Sequence, residues 1–249
     1  MSVTIKSARE IELMRQAGKI LASVHEELGK ALCPGMSTMD IDRLGEKLIR
    51  SHGCIPSFKN YNGYPASICV SVNDEVVHGI PSKHRIIREG DIVSLDAGVI
   101  YHGYHSDAAR THAIGKITPE AEKLIQVTRE SFFEGIKFAK AGNHLNDISS
   151  AIQAYAESFG YGVVRDLVGH GIGDHLHEEP EIPNFAQKRK GIRLMPGMTL
   201  AIEPMINACR PDVVWMDDDW TVVTDDGSLS AHYENTILIT EGEPEILSL

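Results

Sequence analysis

Ile92-Val93-Ser94-Leu95-Asp96-Ala97-Gly98-Val99-Ile100 is an apolar run of strand length with a single carboxylate inside it. Burying an unpaired acid is costly, so an aspartate there needs a partner, most often a cation or a hydrogen-bond network. The pattern returns downstream as Met198-Thr199-Leu200-Ala201-Ile202-Glu203, with the two acids 107 residues apart (203 − 96) and Gly90 and Gly197 preceding them at the same offset. That offset also carries Pro34-Gly35 onto Ala141-Gly142, Asp40-Ile41 onto Asp147-Ile148, and Ser51-x-Gly53 onto Ser158-x-Gly160. Each half therefore reads as helix, Pro/Ala-Gly, helix, then a strand that carries an acid. A repeat on this scale predicts two related α+β halves sharing one core, with the strand-borne acids facing a common cleft. The expected organisation is a single domain over residues 1–249, its halves covering roughly 8–110 and 118–240.

Local signals place the elements. Ser7-Ala8-Arg9-Glu10 has the form of a capping box opening a helix with Ile11, Met14, Leu21, Val24 and Leu28 as its apolar stripe, stopped by Pro34-Gly35. A second helix follows Thr38 and ends near Gly53, strands are expected at Ser67 to Val72 and Ile92 to Ile100, and Thr118-Pro119 starts a third helix. A fourth covers roughly Leu145 to Ser158, and from Tyr161 the chain is mostly strand and turn. Asp96 and Asp107 flank Gly98, Gly103 and Tyr104, which reads as a hairpin aiming two acids at one site.

Three further side chains of metal-binding type stand out. His170 lies in Gly169-His170-Gly171-Ile172-Gly173, where flanking glycines would bring the backbone close to a ligand and clear space around the imidazole. Glu203 ends the second apolar run, and Glu234 lies in His232-Tyr233-Glu234-Asn235. Taken singly, an acid in a strand is more often a structural residue with a cap or an arginine partner. Taken together, four carboxylates and one imidazole can hold two divalent ions. Hard oxygens with one nitrogen suit Mn, Fe(II), Co or Zn, and the absence of thiolates argues against a structural zinc site. Two such ions about 3.5 Å apart can hold a hydroxide as nucleophile and polarise a carbonyl, which is hydrolytic chemistry.

Composition narrows the class. The formal charge of −11 argues against a general nucleic-acid binder, and the basic stretches Lys83-His84-Arg85 to Arg88 and Lys188-Arg189-Lys190 read as solvated loop charges. Cys33, Cys54, Cys69 and Cys209 form no C-x-x-C, and their irregular spacing fits reduced thiols. The start of the chain is polar, and no stretch has the apolar length of a membrane span, so a cytoplasmic location is expected.

The chain resembles the bacterial type I methionine aminopeptidases. The resemblance runs over almost its whole length and rests on the order Asp96, Asp107, His170, Glu203, Glu234. It rests also on Asn73-Asp74-Glu75-Val76-Val77-His78-Gly79-Ile80-Pro81, the glycine-rich histidine motif, and His177-Glu178-Glu179-Pro180. It implies the pita-bread fold, two pseudo-symmetric halves around a dinuclear metal cleft. It implies that Asp107 and Glu234 bridge two divalent ions, that Asp96 chelates one, and that His170 with Glu203 ligates the other. The activity implied is removal of an initiator methionine ahead of a small, uncharged second residue, by attack of a metal-bridging hydroxide on the first peptide bond. Glu203 would shuttle the proton, and His78 and His177 would hydrogen-bond the scissile peptide and its tetrahedral intermediate. Read without the family, His78 is a loop residue before the Ile80-Pro81 turn and His177 a surface histidine. Tyr61, Tyr64, Cys69 and Trp220 would wall a soft methionine pocket, with Phe58 and Leu176 beside it at positions where relatives vary. Asp174-His175 is an unexpected pairing between the two histidine motifs. The implied partners are the N-terminal methionine of nascent polypeptides and peptides and, transiently, the ribosome. Nucleic acid and membrane are not among them, and the family is usually monomeric.

Four alternatives stand against this. Prolidase-like enzymes and aminopeptidase P usually carry an extra N-terminal domain, whereas the first helix here begins near residue 8. Type II methionine aminopeptidases carry a helical insertion, for which the 33 residues between His170 and Glu203 (203 − 170) leave little room. Non-catalytic binding proteins of this fold typically lose ligands, whereas five are kept here. A purely structural metal site would be an expensive use of four mutually repelling carboxylates.

Overall fold

The computed structural model describes residues 3–249. Four helices, α1 (Ala8–Ala31), α2 (Thr38–Ser51), α3 (Pro119–Ile136) and α4 (Leu145–Ser158), accompany a nine-stranded, wholly antiparallel sheet. Its principal strands are β1 (Ile68–Val72), β2 (Ile92–Tyr101), β3 (Tyr104–Ala113), β4 (Gly169–Gly171), β5 (Glu178–Ile182), β6 (Thr199–Ile202) and β7 (Glu234–Leu238). They lie in the order β1-β2-β3-β7-β6-β4-β5, and the short segments Ile55–Pro56 and Glu245–Ile246 pair with β2 and β7.

The helix ends follow the local chemistry. Ser7 and Glu10 form the reciprocal capping box of α1, and Thr118 caps α3 with Pro119 at its first position. The cap of α2 is Ser37 rather than Thr38: its hydroxyl accepts from Asp40 N at 3.1 Å, and Thr38 is the first helical residue.

The 107-residue offset recurs in the backbone. α2 at 38–51 maps onto α4 at 145–158 (38 + 107 = 145, 51 + 107 = 158). The bridge Ser37 to Ile86 maps onto His144 to Arg193. Gly35, Gly53 and Gly90 share positive φ with Gly142, Gly160 and Gly197, the left-handed conformation that favours glycine at these turns.

Alternation along the strands separates core from cleft. Leu95, Ala97, Val99 and Ala108 pack with Leu21, Val24 and Ile41 of α1 and α2, while Leu200, Ile202 and Ile237 pack with Phe132, Ile148 and Ile152 of α3 and α4. Burying the Leu, Ile, Val and Phe side chains among these stabilises by roughly 1.5–3 kcal/mol each. The residues of opposite parity, Asp96, Asp107, Glu203 and Glu234, then face away from both helix layers. No helix among the described residues is long and apolar enough to cross a membrane.

Candidate metal centre and substrate cleft

Five consecutive strands of the sheet, β2, β3, β7, β6 and β4, bring one ligand-type side chain each to the cleft. Asp96 and Asp107 sit on the hairpin expected for them. Asp96 is opposite Ala109 and Asp107 opposite Gly98, so the two carboxylates are diagonal neighbours on one face. The turn between the strands is Tyr101-His102-Gly103-Tyr104, with positive φ at both central residues as a tight hairpin turn demands. Glu234 enters β7 opposite Ala109, Glu203 directly follows β6, and His170 is the centre of β4.

Ligand atoms of Asp107, His170 and Glu234 lie within 4.8 Å of one another, and His170 Nε2 stands 3.6 Å from Glu203 Oε1. His170 Nδ1 is 2.8 Å from the Gly171 carbonyl oxygen, which can only accept. The proton is therefore on Nδ1, and the lone pair of Nε2 faces the carboxylates. The flanking glycines serve the neighbouring backbone rather than clearing space for the imidazole. A Cβ at Gly169 would lie 2.4 Å from the Ala201 carbonyl oxygen, and one at Gly171 would lie 2.2 Å from that of Glu179.

The electrostatics are those of a site built around positive charge. Burial, and then the neighbouring carboxylates, push Asp107, Glu203 and Glu234 well above the usual carboxylate range, and burial raises Asp96 to about 7. Burial lowers His170 to about 3, holding it neutral as a ligand must be. Asp96 Oδ1 and Glu234 Oε1 are buried without a hydrogen-bond partner. Divalent cations supply what these orphaned atoms and mutually repelling acids lack, so the donor set fits a metal.

The four acids and the imidazole open onto a cavity of about 310 Å³. Tyr61, Tyr64, Cys69 and Trp220 line it, and so do Phe58 and Leu176. Tyr64 meets Trp220 edge-on at 5.1 Å between ring centroids, and its hydroxyl donates to the Gly79 carbonyl at 3.0 Å. His78 and His177 also line the cavity. His78 is held at φ 59, a strained backbone for a histidine, directly after the strand Glu75–Val77. His177 packs edge-on against His170 at 4.2 Å. Asp174 and His175 do not line the cavity; they are exposed and bond each other at 2.9 Å.

Several supporting residues escape the sequence reading. Thr236 Oγ1 accepts from Asp107 N and donates to Asp107 O, both at 2.9 Å, where β3 and β7 part and the ladder ends. Arg110 Nη1 donates to the Glu234 carbonyl and Nη2 to Asn235 Oδ1, the latter at 2.6 Å, with the guanidinium over the Tyr233 ring. Asp166, Leu167 and Val168 add to the cavity wall just before the glycine-rich motif. The alternation Glu234-x-Thr236 hinted at the threonine; nothing local marked the others.

A cleft that gathers four carboxylates and one imidazole between two repeated α+β halves has the donor chemistry of a metal-dependent hydrolase. The chain belongs to metallopeptidase family M24, whose pattern matches residues 12–241. It is 58% identical to the methionine aminopeptidase of Clostridium acetobutylicum over 99% of each chain, and 50% identical to methionine aminopeptidase 1 of Bacillus subtilis, also over 99% of each. The crystal structure of the methionine aminopeptidase of Thermotoga maritima superposes with a TM-score of 0.97 at 46% identity, covering 99% of both chains. The pita-bread architecture of that family is thus the fold of this chain.

Proposed function

We propose that this single-domain chain is a metal-dependent aminopeptidase that removes the N-terminal methionine of polypeptides when the second residue is small and uncharged. The observation that carries the reading is the convergence of five ligand-type side chains on the floor of a cavity walled by aromatic rings and a thiol. That wall suits a methionine thioether, which is polarisable and favours ring edges.

Asp96, Asp107, His170, Glu203 and Glu234 would hold two divalent ions, Mn, Fe(II), Co or Zn, with Asp107 and Glu234 shared between them. Asp96 would serve one ion, and His170 with Glu203 the other. Metal in this site would act as a Lewis acid, binding the lone pair of a free amine, lowering the pKa of a water and polarising a carbonyl. The chain's own groups do the rest. Glu203 takes the proton of the attacking water and returns it to the leaving amide nitrogen. His78 and His177, each held below its ordinary pKa by burial, are neutral donors to the scissile peptide and to the oxyanion that forms on it. Tyr61, Tyr64, Cys69 and Trp220 bind the methionine side chain. Work on nascent chains would bring a cytoplasmic monomer transiently to the ribosome.

Release of methionine from Met-Ala-Ser and Met-Leu-Ser by metal-stripped protein titrated with Mn(II), Fe(II) or Co(II) tests the reading. Metal-dependent release from the alanine peptide alone, lost in Asp96→Asn and Glu203→Gln, supports it. Metal binding by calorimetry without release from any peptide would make the chain a binding protein. Release only ahead of proline would make it a proline-directed member of the family.

A further inference from the structure

Lys6 has a side chain only 5% exposed, with its ammonium 2.5 Å from Oε2 of Glu178, itself 9% exposed. Neither residue lines the cavity. A lysine head group is rarely sequestered in this way, because stripping its water is repaid only by a well-matched partner. The match here is close. Thr4 Oγ1 donates to the same Oε2 at 2.6 Å and accepts from the lysine ammonium, while His175 N donates to Glu178 Oε1 at 3.3 Å. The lysine also supplies the positive charge among Asp174, His175 and Glu178, whose ligand atoms gather within 4.8 Å.

Two motif residues that the chemistry leaves unexplained are accounted for by this pair. Glu178 follows His177 in the chain, and Gly173 closes the glycine-rich motif. A Cβ at Gly173 would stand 2.3 Å from Lys6 Cε and 2.3 Å from Glu178 Oε1, so any other residue would have to push the ion pair out of this position. The Gly173 carbonyl accepts from His105 N at 2.8 Å, and its N–H donates to the His175 carbonyl at 3.0 Å. On the other side, Lys6 N donates to the Gly197 carbonyl at 2.8 Å, anchoring the N-terminal segment on the body of the protein. The loop from Gly173 to Glu178 is therefore pinned at both ends, and the residue before its second pin is His177.

We propose that Lys6 is a positioning residue for His177: locked to Glu178 beneath Gly173, it fixes the loop that holds the His177 imidazole at the cleft. The role rests on the reading of His177 given above. A residue whose only task is to hold the fold would lower activity through the population of folded protein. Lys6 acts instead on the rate of each folded, metal-loaded molecule.

The test is a double-mutant cycle between Lys6→Met and His177→Ala, with Glu178→Gln and the milder Thr4→Val in parallel. Each is assayed for methionine release from Met-Ala-Ser at saturating Mn(II), with metal content and circular dichroism confirming loaded, folded protein. Misaiming a group at a reacting centre costs about 10–100-fold, so Lys6→Met should lower kcat by that order with KM nearly unchanged. Glu178→Gln should reproduce most of the loss and Thr4→Val part of it. In the His177→Ala background, Lys6→Met should cost almost nothing further, since coupled residues are non-additive. Equal losses in both backgrounds, or unchanged kcat in both Lys6→Met and Glu178→Gln, would overturn the proposal. Full activity in His177→Ala would overturn the reading of His177, and the proposal with it.

Discussion

The Tyr61 hydroxyl stands 2.7 Å from Nδ1 of His177, with the two rings tilted at 55° and 5.2 Å apart. For His177 to donate through Nε2 to a substrate carbonyl, Nδ1 must accept, and the phenol is the donor that fits. Tyr61 sits in a short turn whose flanking residues, Asn60 and Asn62, are both at positive φ. Asparagine tolerates that region better than most residues, so the turn can hold the phenol in place at modest cost. Tyr61 is thus both a wall of the pocket and a partner of a proposed catalytic histidine.

The two roles separate in Tyr61→Phe, which keeps the ring and removes the hydroxyl. Losing one neutral hydrogen bond is worth about 0.5–1.5 kcal/mol, so kcat should fall about 3–10-fold while KM for Met-Ala-Ser holds. Steady-state kinetics decide it: a raised KM at constant kcat would leave Tyr61 as wall alone.

The raised carboxylates make a prediction about the metal-free protein. Asp107 is buried, faces Asp96 and Glu234, and is pushed well above its ordinary range. Asp107→Asn removes the cost of burying an ionisable carboxyl among other acids and keeps the shape. The metal-free variant should therefore melt higher than metal-free wild type at pH 8, by about 1–3 kcal/mol or several degrees. Added Mn(II) should raise the wild-type melting temperature and leave the variant nearly unmoved. A metal-free variant that melts lower than wild type would show that the site is stable without a cation.

The helix positions and the paired acids were legible because their causes are local or repeated. Ser7 with Glu10, and Thr118 with Pro119, announce helix starts within a few residues. The constant offset between Asp96 and Glu203 gave away the symmetry of the halves. His78 was not legible from chemistry, since its strained backbone and its place beside Trp220 arise only when distant segments meet. Lys6 and Glu178 are 172 residues apart, and Thr236 meets Asp107 across 129. No local pattern marks such pairs. The Asp174-His175 pair illustrates the converse, an arresting dipeptide that folds to the outside of the cleft wall.

Metal affinity should depend on pH through the same acids. Asp96 in the metal-free site releases its proton near 7, and Asp107, Glu203 and Glu234 also hold theirs above the ordinary range. Binding must displace those protons, so below pH 7 the apparent affinity should fall at least about tenfold per pH unit. Isothermal titration with Mn(II) in buffers of different ionisation enthalpy would also count the protons released. A flat affinity from pH 7.5 to 5.5 with no proton release would mean that these carboxylates are ionised before metal arrives.

A second acid-sensitive feature lies behind the cleft. His25 is fully buried with Nε2 2.8 Å from the Ala108 carbonyl oxygen, and His112 stands near it under the field of Arg110. Burial, reinforced by that guanidinium, lowers His112 to about 4 and His25 well below its usual value. The unfolded chain takes up these protons near pH 6.5 and the folded chain does not, so the unfolded state binds more protons between about 6.5 and 4. Stability is therefore complete above 6.5 and is lost as pH falls toward 4, by roughly 3 kcal/mol for His112 alone at full effect. The carboxylates of the metal-free cleft act in the opposite sense, so the effect is read as a difference between proteins. His112→Gln should lose less stability than wild type between pH 7.5 and 4.5, measured as the shift in urea midpoint with both proteins metal-free. Equal shifts would show that His112 is protonated in the fold, with its charge matched by a group outside the Arg110 neighbourhood.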